Sequence, residues 1–239
     1  MDKKVVVTGG AGGLGLCIAK KHASLGDYVF IIDVKETPEL DAFLKENPKS
    51  EFQKCNISRT ENVKAAFKPF VKHTKHLDYL YSCAGIFRHI EKVPLPELDL
   101  DKAGLMYEIN AVGPMRVVQA LWDTIGDGSV LMMITSEAGS VSMNWRSQEY
   151  NYCMSKAAEN MGCVILQHHF SEMKQNTRVM CLHPGWMRTA MGGEEALKNL
   201  ENSIAPEDSA EAIVGIALDI ESIPPENMYM DYKRKLLTW

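Results

Sequence analysis

No C-x-x-C pair occurs among the six cysteines, Cys17, Cys55, Cys83, Cys153, Cys163 and Cys181. That removes the spacing of a zinc ribbon or a thioredoxin-like redox centre, and no metal site is expected. Most of these cysteines stand in apolar surroundings, where a free thiol packs as a small hydrophobe and suits a reducing cytoplasm. No apolar run approaches the ~18 residues of a membrane span. The valines Val5–Val7 behind Met-Asp-Lys-Lys are too few for the apolar core of a signal peptide. No membrane partner is therefore expected. An excess of positive charge is also lacking: 26 Lys and Arg against 31 Asp and Glu leave −5. That balance disfavours nucleic acid as the main partner. There is no internal repeat and no low-complexity segment.

What the sequence does contain is alternation. Short apolar runs at Val5–Val7, Tyr28–Ile32, Leu77–Ser82, Val130–Ile134 and Val179–Leu182 read as strands, with a further strand ending at Cys55-Asn56-Ile57. Their near-continuous hydrophobicity suits a sheet covered on both faces. Helical patterns lie between them, near Gly13–Leu25, Thr60–His73, Asp101–Trp122, Asn151–Phe170 and Pro206–Ile220, with Thr60 and Asp101 as N-cap candidates. A chain of 239 residues with this order and no long linker predicts one α/β domain over 1–239. The expected fold is a Rossmann-type doubly wound parallel sheet with helices on both faces and right-handed crossovers.

The first strand runs into Thr8-Gly9-Gly10-Ala11-Gly12-Gly13-Leu14-Gly15, with a helix behind it. Five glycines in seven residues exceed what a strand–helix turn needs. They let a backbone approach a pyrophosphate, which a helix N-terminus favours electrostatically. Asp33 ends the second strand. It is either a ligand of the adenosine ribose hydroxyls or a plain loop carboxylate. As a ribose ligand it would repel a 2′-phosphate, and its neighbour is Val34 rather than arginine, so NAD(H) is expected over NADP(H). Lys35, the nearby cation, reads as solvated. Asn56 and the Ala84-Gly85 pair stand at strand ends, as adenine and cofactor contacts or as ordinary turn residues.

Tyr152 and Lys156 stand four apart in Tyr-Cys-Met-Ser-Lys, on one face of a helix. A lysine ammonium there favours the tyrosinate and makes the phenol a usable acid/base. About one Tyr-x-x-x-Lys match arises by chance in such a chain, and Tyr229/Lys233 is a second. No serine-bearing strand end precedes that second pair at a suitable distance, and Lys233-Arg234-Lys235 reads as a solvated stretch. Tyr150, six residues before Lys156, falls on another helix face and is expected to pack or line the pocket. Ser136 ends the apolar run before Tyr152. Asn110 is followed four residues later by Pro114, whose ring clashes with the Asn110 carbonyl in a regular helix.

The ordered set Thr8-Gly9-x-x-x-Gly13-x-Gly15, Ala84-Gly85, Asn110, Ser136, Tyr152-x-x-x-Lys156 and Pro184-Gly185 resembles the short-chain dehydrogenase/reductase family over nearly the whole chain. The resemblance implies an oxidoreductase that interconverts an alcohol and a carbonyl with NAD(H) or NADP(H). Tyr152 would be general acid/base, Lys156 its charged partner and a ribose ligand, Ser136 the group orienting the substrate oxygen, and Asn110 part of a water relay. The expected cofactor-binding set is Gly9, Gly13, Leu14, Gly15, Asp33, Asn56, Ile57, Ala84, Gly85, Tyr152, Lys156, Pro184, Gly185, Met187 and Thr189. Thr189 is expected on the nicotinamide carboxamide by the same analogy.

Ser136 and Tyr152 are 16 positions apart, more than is usual in the family. That extension, the Tyr150-to-Lys156 pattern, the His183-to-Gly193 segment and Trp239 resemble a carbonyl-reductase-like branch that includes C-factor proteins. Asn56 and Cys83 replace residues the family often carries there. Met143, Trp145 and Arg146 either wall a pocket opposite Trp186, Met187 and Met191, or lie on the surface or in an interface. Large apolar walls suit an apolar or aromatic small-molecule substrate. Residues 192–205 read as a mobile lid, and the helices near 101–122 and 151–170 as a homodimer or homotetramer interface. A non-catalytic NAD-binding sensor is the competing reading.

Overall fold

The computed structural model of the protein describes residues 2–88 and 92–239. Its frame is a sheet of seven strands in the order β3-β2-β1-β4-β5-β6-β7, and every neighbouring pair is parallel. The strands are β1 (Lys4–Thr8), β2 (Tyr28–Asp33), β3 (Glu51–Lys54), β4 (Tyr79–Ser82), β5 (Val130–Ile134), β6 (Arg178–His183) and β7 (Tyr229–Asp231). All of β4 and β5 is buried, as a parallel sheet covered on both faces requires. The helices are α1 (Gly13–Ser24), α2 (Pro38–Glu46), α3 (Thr60–His73), α4 (Ala103–Asn110), α5 (Val112–Leu121), α6 (Tyr150–Glu172), α7 (Gly193–Lys198) and α8 (Pro206–Leu218). Among the described residues, no helix is long and apolar enough to cross a membrane.

Some expectations fail for local reasons. The helix expected over 101–122 is two helices, α4 and α5, broken at Ala111. Pro114 lacks the N–H that would close on the Asn110 carbonyl, and its ring pushes that carbonyl aside. Thr60 is not a cap: Arg59 holds the cap position, and Thr60 Oγ1 accepts a hydrogen bond from Arg116 Nε at 3.2 Å. Asp101 is not one either. Asp99 caps a single 3-10 turn ahead of α4 by accepting from the Asp101 amide at 3.2 Å. α2 starts at Pro38 behind Thr37, whose hydroxyl accepts from the Leu40 amide at 3.1 Å. It was not expected, and neither was β7.

The hand of the crossovers also differs from expectation. The chain steps from β1 to β2 in one direction across the sheet and from β6 to β7 in the other. Yet α8, which joins β6 to β7, packs against α1, which joins β1 to β2. Two connections on the same face running in opposite directions have opposite hands, so the right-handed rule fails at one of them.

The strand order reverses between β1 and β4, where Thr8 pairs with Ser82. Just below lies a buried polar contact between α1 and β4. His22 Nδ1 lies 2.8 Å from Asp27 Oδ2 and Nε2 lies 2.8 Å from the Tyr81 hydroxyl. A carboxylate only accepts, so Nδ1–H donates to Asp27 and the neutral ring accepts from Tyr81. Burial lowers the His22 pKa by more than the Asp27 carboxylate raises it. The unfolded chain therefore binds the extra proton first. Stability present above the ordinary value of 6.5 is lost as the pH falls through the lowered one. Thermal melts of the parent protein should show Tm dropping over that acid window, and His22→Gln should shrink the drop.

Candidate active site

The carboxyl ends of β1, β2 and β4 carry the glycine turn and its supports. Gly9 has φ +66, and a Cβ there would lie 2.8 Å from Ala84 Cα, so only glycine lets the turn meet the β4 end. Ala84 is fixed in turn by its amide, which donates to Thr8 Oγ1 at 3.0 Å. The α1 N-cap, Gly12, has no side chain to close on the amides of the first turn. Those amides and the helix dipole suit an anion such as a pyrophosphate. Gly13 opens α1, with Leu14 and Gly15 buried behind it. The Asp33 carboxylate accepts from the Ala11 amide at 3.0 Å, and Thr37 Oγ1 donates to the Ala11 carbonyl at 2.6 Å. Asp33 is thus braced against the turn. These residues fit a dinucleotide.

Asn56 makes an ordinary turn, its Oδ1 accepting from the Ser58 amide at 3.0 Å, with Ile57 buried beside it. The loop after β6 comes over the turn from the other side. A Cβ at Gly13 would lie 3.5 Å from Thr189 Cγ2. Pro184 accepts from Ser209 Oγ of α8 at 2.7 Å, Gly185 has φ +85, and Met187 bridges to Ile204. The segment 192–205 contains α7 and is tied back by Arg188, whose Nη1 donates to the Ser203 carbonyl at 2.7 Å.

Asn110 is fully buried and joins three elements. Its Oδ1 accepts from the Ile86 amide at 2.8 Å, and its Nδ2 donates to the Ile86 carbonyl at 2.9 Å and to Ser155 Oγ of α6 at 3.1 Å. Gly85 lies beside it: a Cβ there would be 3.3 Å from Asn110 Oδ1 and 3.8 Å from Lys156 Nζ. The β4 end, the α4 end and the lysine therefore meet at one point.

Ser136 follows β5 and caps a 3-10 turn over 137–139, accepting from the Ala138 amide at 3.1 Å. This turn lies tightly on α6. A Cβ at Gly139 would lie 2.7 Å from the Lys156 carbonyl oxygen, so glycine is what permits the contact. The Ser136 carbonyl accepts from the Tyr229 hydroxyl at 2.7 Å, and the Tyr229 ring stacks on Trp239 at 4.7 Å. The chain's last residues thereby support the serine. Ser140 Oγ donates to the Thr238 carbonyl at 2.6 Å on the same seam. Tyr229 is thus buried in β7, while Lys233, Arg234 and Lys235 beyond it are exposed, as a solvated stretch requires.

Tyr152 stands on the first turns of α6, with Phe87 edge-on to its ring at 4.9 Å. Lys156 is buried. Its Nζ donates to the Ile134 carbonyl at 2.9 Å and to Glu159 Oε2 at 2.7 Å. Burial pulls the Lys156 pKa down. The Glu159 charge, Tyr152 and the Glu159 hydrogen bond together outweigh it, so the ammonium titrates above its usual range. Burial pushes the Glu159 carboxyl up to about 6 despite the ammonium beside it.

Glu159 is the one residue of this cluster that sequence reasoning passed over. The signal was Lys156-x-x-Glu159, an i, i+3 charge pair on a helix face that is otherwise buried. Trp145 resolves to the surface: it is 78% exposed and stacks with the Arg146 guanidinium. Arg146 bridges Glu137 at 3.1 Å and Glu149 at 3.0 Å, fastening the extended loop at both ends. Among the described residues, no group of three or more His, Cys, Asp or Glu is placed to hold a metal ion.

The sequence model of the family described as short chain dehydrogenase matches residues 3–199. The chain belongs to that family. It is accordingly an oxidoreductase of the NAD(P)-dependent short-chain dehydrogenase/reductase type. It is 29% identical over 171 residues to 1-hydroxy-2-glutathionyl-2-methyl-3-butene dehydrogenase of Rhodococcus sp. (strain AD45), covering 72% of this chain and 71% of that one. It is 29% identical over 150 residues to C-signal of Myxococcus xanthus, covering 61% of this chain and 83% of that one. The NADPH-bound carbonyl reductase from chicken fatty liver shares the fold at a TM-score of 0.83. There the identity is 22%, over 100% of this chain and 99% of that one.

The Tyr229–Ser136 bond gives a direct test of the C-terminal support. Tyr229→Phe leaves the buried Ser136 carbonyl without this donor and should cost about 1–2 kcal/mol. Urea denaturation of the two proteins measures the difference.

Proposed function

We propose that this chain interconverts an alcohol and a carbonyl compound, with Tyr152 as general acid/base and NAD(H) as the preferred cofactor. The observation that carries this reading is the buried Lys156 ammonium one helical turn from Tyr152, beside the Gly85–Asn110 junction. Bound nicotinamide supplies or accepts the hydride. Tyr152 gives its proton to the substrate oxygen in reduction and takes it back in oxidation. Lys156 favours the tyrosinate by its charge. Ser136, whose hydroxyl hydrogen has no partner among the described residues, donates to the oxygen as charge gathers there. Asn110 serves the relay by fixing the backbone at Ile86 and the α6 turn at Ser155. Gly9, Gly13, Leu14 and Gly15 hold the pyrophosphate end, and Ile57, Ala84, Gly85, Pro184, Gly185, Met187 and Thr189 line the rest.

Asp33 supports NAD(H): a carboxylate at the end of β2 binds ribose hydroxyls and repels a 2′-phosphate. The chicken enzyme carries NADPH, but its 22% identity bears on fold alone. Phe87, Met143, Trp186 and Met191 favour an apolar or aromatic substrate. The six free cysteines accord with a reducing cytoplasm. The likeness to C-signal supports the competing reading of a nucleotide-binding sensor without turnover. A pure binder has no use for a charged lysine held next to a phenol.

A panel of alcohols and carbonyls run with both cofactor pairs tests this reading. Turnover should appear, NADH should bind tighter than NADPH, and Tyr152→Phe should cost at least ~100-fold in kcat/KM. Binding of NAD without turnover on any substrate would favour the sensor.

Leu105, Val112, Met154, Met161 and Ile165 are exposed on α4, α5 and α6. An apolar stripe of this kind supports a homodimer or homotetramer packed through these helices. Sedimentation should show an oligomer; a monomer removes this assignment.

A further inference from the structure

Glu159 has no part in the chemistry so far, yet its burial demands an explanation. It is 1% exposed, and a buried carboxylate is costly unless paired. Its ion-pair partner is Lys156, at 2.7 Å. The other titratable groups facing the pair are Tyr152 and Cys163 on α6 and Cys83 at the end of β4. Burial holds the Cys83 thiol protonated, and the hydrogen bond with Cys181 together with burial does the same for Cys163, so neither adds a negative charge beside Lys156. Tyr152, Lys156, Glu159 and Cys163 follow one another at spacings of four, three and four, one stripe of α6.

An ammonium has three N–H donors. Two of those on Lys156 are used, one by Glu159 and one by the Ile134 carbonyl. The third is left for the space beside Gly85 and Tyr152. Glu159 and Ile134 therefore fix where the ammonium sits and which way its remaining N–H points. The carboxylate also keeps the ammonium charged, because a buried lysine without an anion beside it is driven to its neutral form.

We propose that Glu159 is a positioning residue, which holds the Lys156 ammonium in place and, through its own charge, sets how readily Tyr152 releases its proton. This rests on Tyr152 and Lys156 being the proton-transfer pair. Loss of an ammonium one helical turn from the phenol, at an effective dielectric between that of water and that of a partly buried site, is worth about 0.5 to 2 pH units.

The test is phenolate absorbance against pH in the free protein, which requires no substrate. The signal of Tyr152 is isolated by subtracting the Tyr152→Phe counterpart in each background. In Glu159→Gln, which keeps the shape and removes the charge, the buried Lys156 goes to its neutral form and the Tyr152 midpoint should rise by about 0.5 to 2 pH units. Glu159→Asp keeps the charge and should stay closer to the parent. Glu159→Leu, suited to the apolar surroundings, provides the same reading if the glutamine variant does not fold. An unchanged or lowered midpoint in the neutral variants overturns the proposal. Failure of the parent to turn over any substrate would sink the enzymatic reading while leaving this titration readable.

Discussion

A single buried ammonium sets the terms for the rest of this site. Lys156 lies on α6 with almost no contact with water. A charge so placed must be paired or it is lost to the neutral form. The ion pair to Glu159 and the bond to the Ile134 carbonyl keep it charged. Both partners come from elements that have other duties: Ile134 ends β5, the strand that delivers Ser136, and Glu159 stands on the helix that delivers Tyr152. The charge, the serine and the phenol are therefore not independent. Moving the β5 end or turning α6 would disturb all three at once.

The parallel sheet explains why these groups meet at all. Every strand ends at the same edge, and the order reverses between β1 and β4. The crevice at that reversal receives the glycine turn from one side and the β4 end from the other. Gly9 lies close against Ala84 there, and Gly85 against Asn110. Asn110 is available there because Pro114 breaks the helix after it. The side chain of this last α4 residue bonds Ile86 and Ser155, linking the β4 end to α6.

Much of this was legible in the amino-acid sequence, and the reasons differ by residue. The glycine turn reads clearly because a turn between strand and helix does not otherwise need so many glycines. Tyr152 and Lys156 read clearly once a serine-bearing strand end and a cofactor turn accompany them. Glu159 did not, since an i, i+3 charge pair on a helix is usually a solvated one, and burial cannot be seen in spacing. β7 was hidden by its length of three residues and by the cations that follow it. β3 was legible only from its end at Cys55-Asn56-Ile57, because it is an edge strand whose apolar content is a half-buried Phe52. The opposite hands of two crossovers follow from α8 packing on α1, a long-range choice with no local signature.

The second Tyr-x-x-x-Lys match carries the sharpest lesson about spacing. Tyr229 was set aside as chemistry, and its hydroxyl is indeed spent on a backbone carbonyl. That carbonyl belongs to Ser136, however. The residue lies 93 positions away in sequence and supports the serine from behind. Trp239 stacks on Tyr229, and Thr238 receives the Ser140 hydroxyl, so the end of the chain closes over the start of the extended loop. Arg146 secures the far end of that loop through Glu137 and Glu149. The loop between Ser136 and Tyr152 is long, yet it is pinned at both ends by contacts that leave its middle, Val141 to Trp145, exposed. The positions of the serine and the phenol thus depend on bonds at the ends of the loop and beyond it rather than on the side chains exposed in its middle.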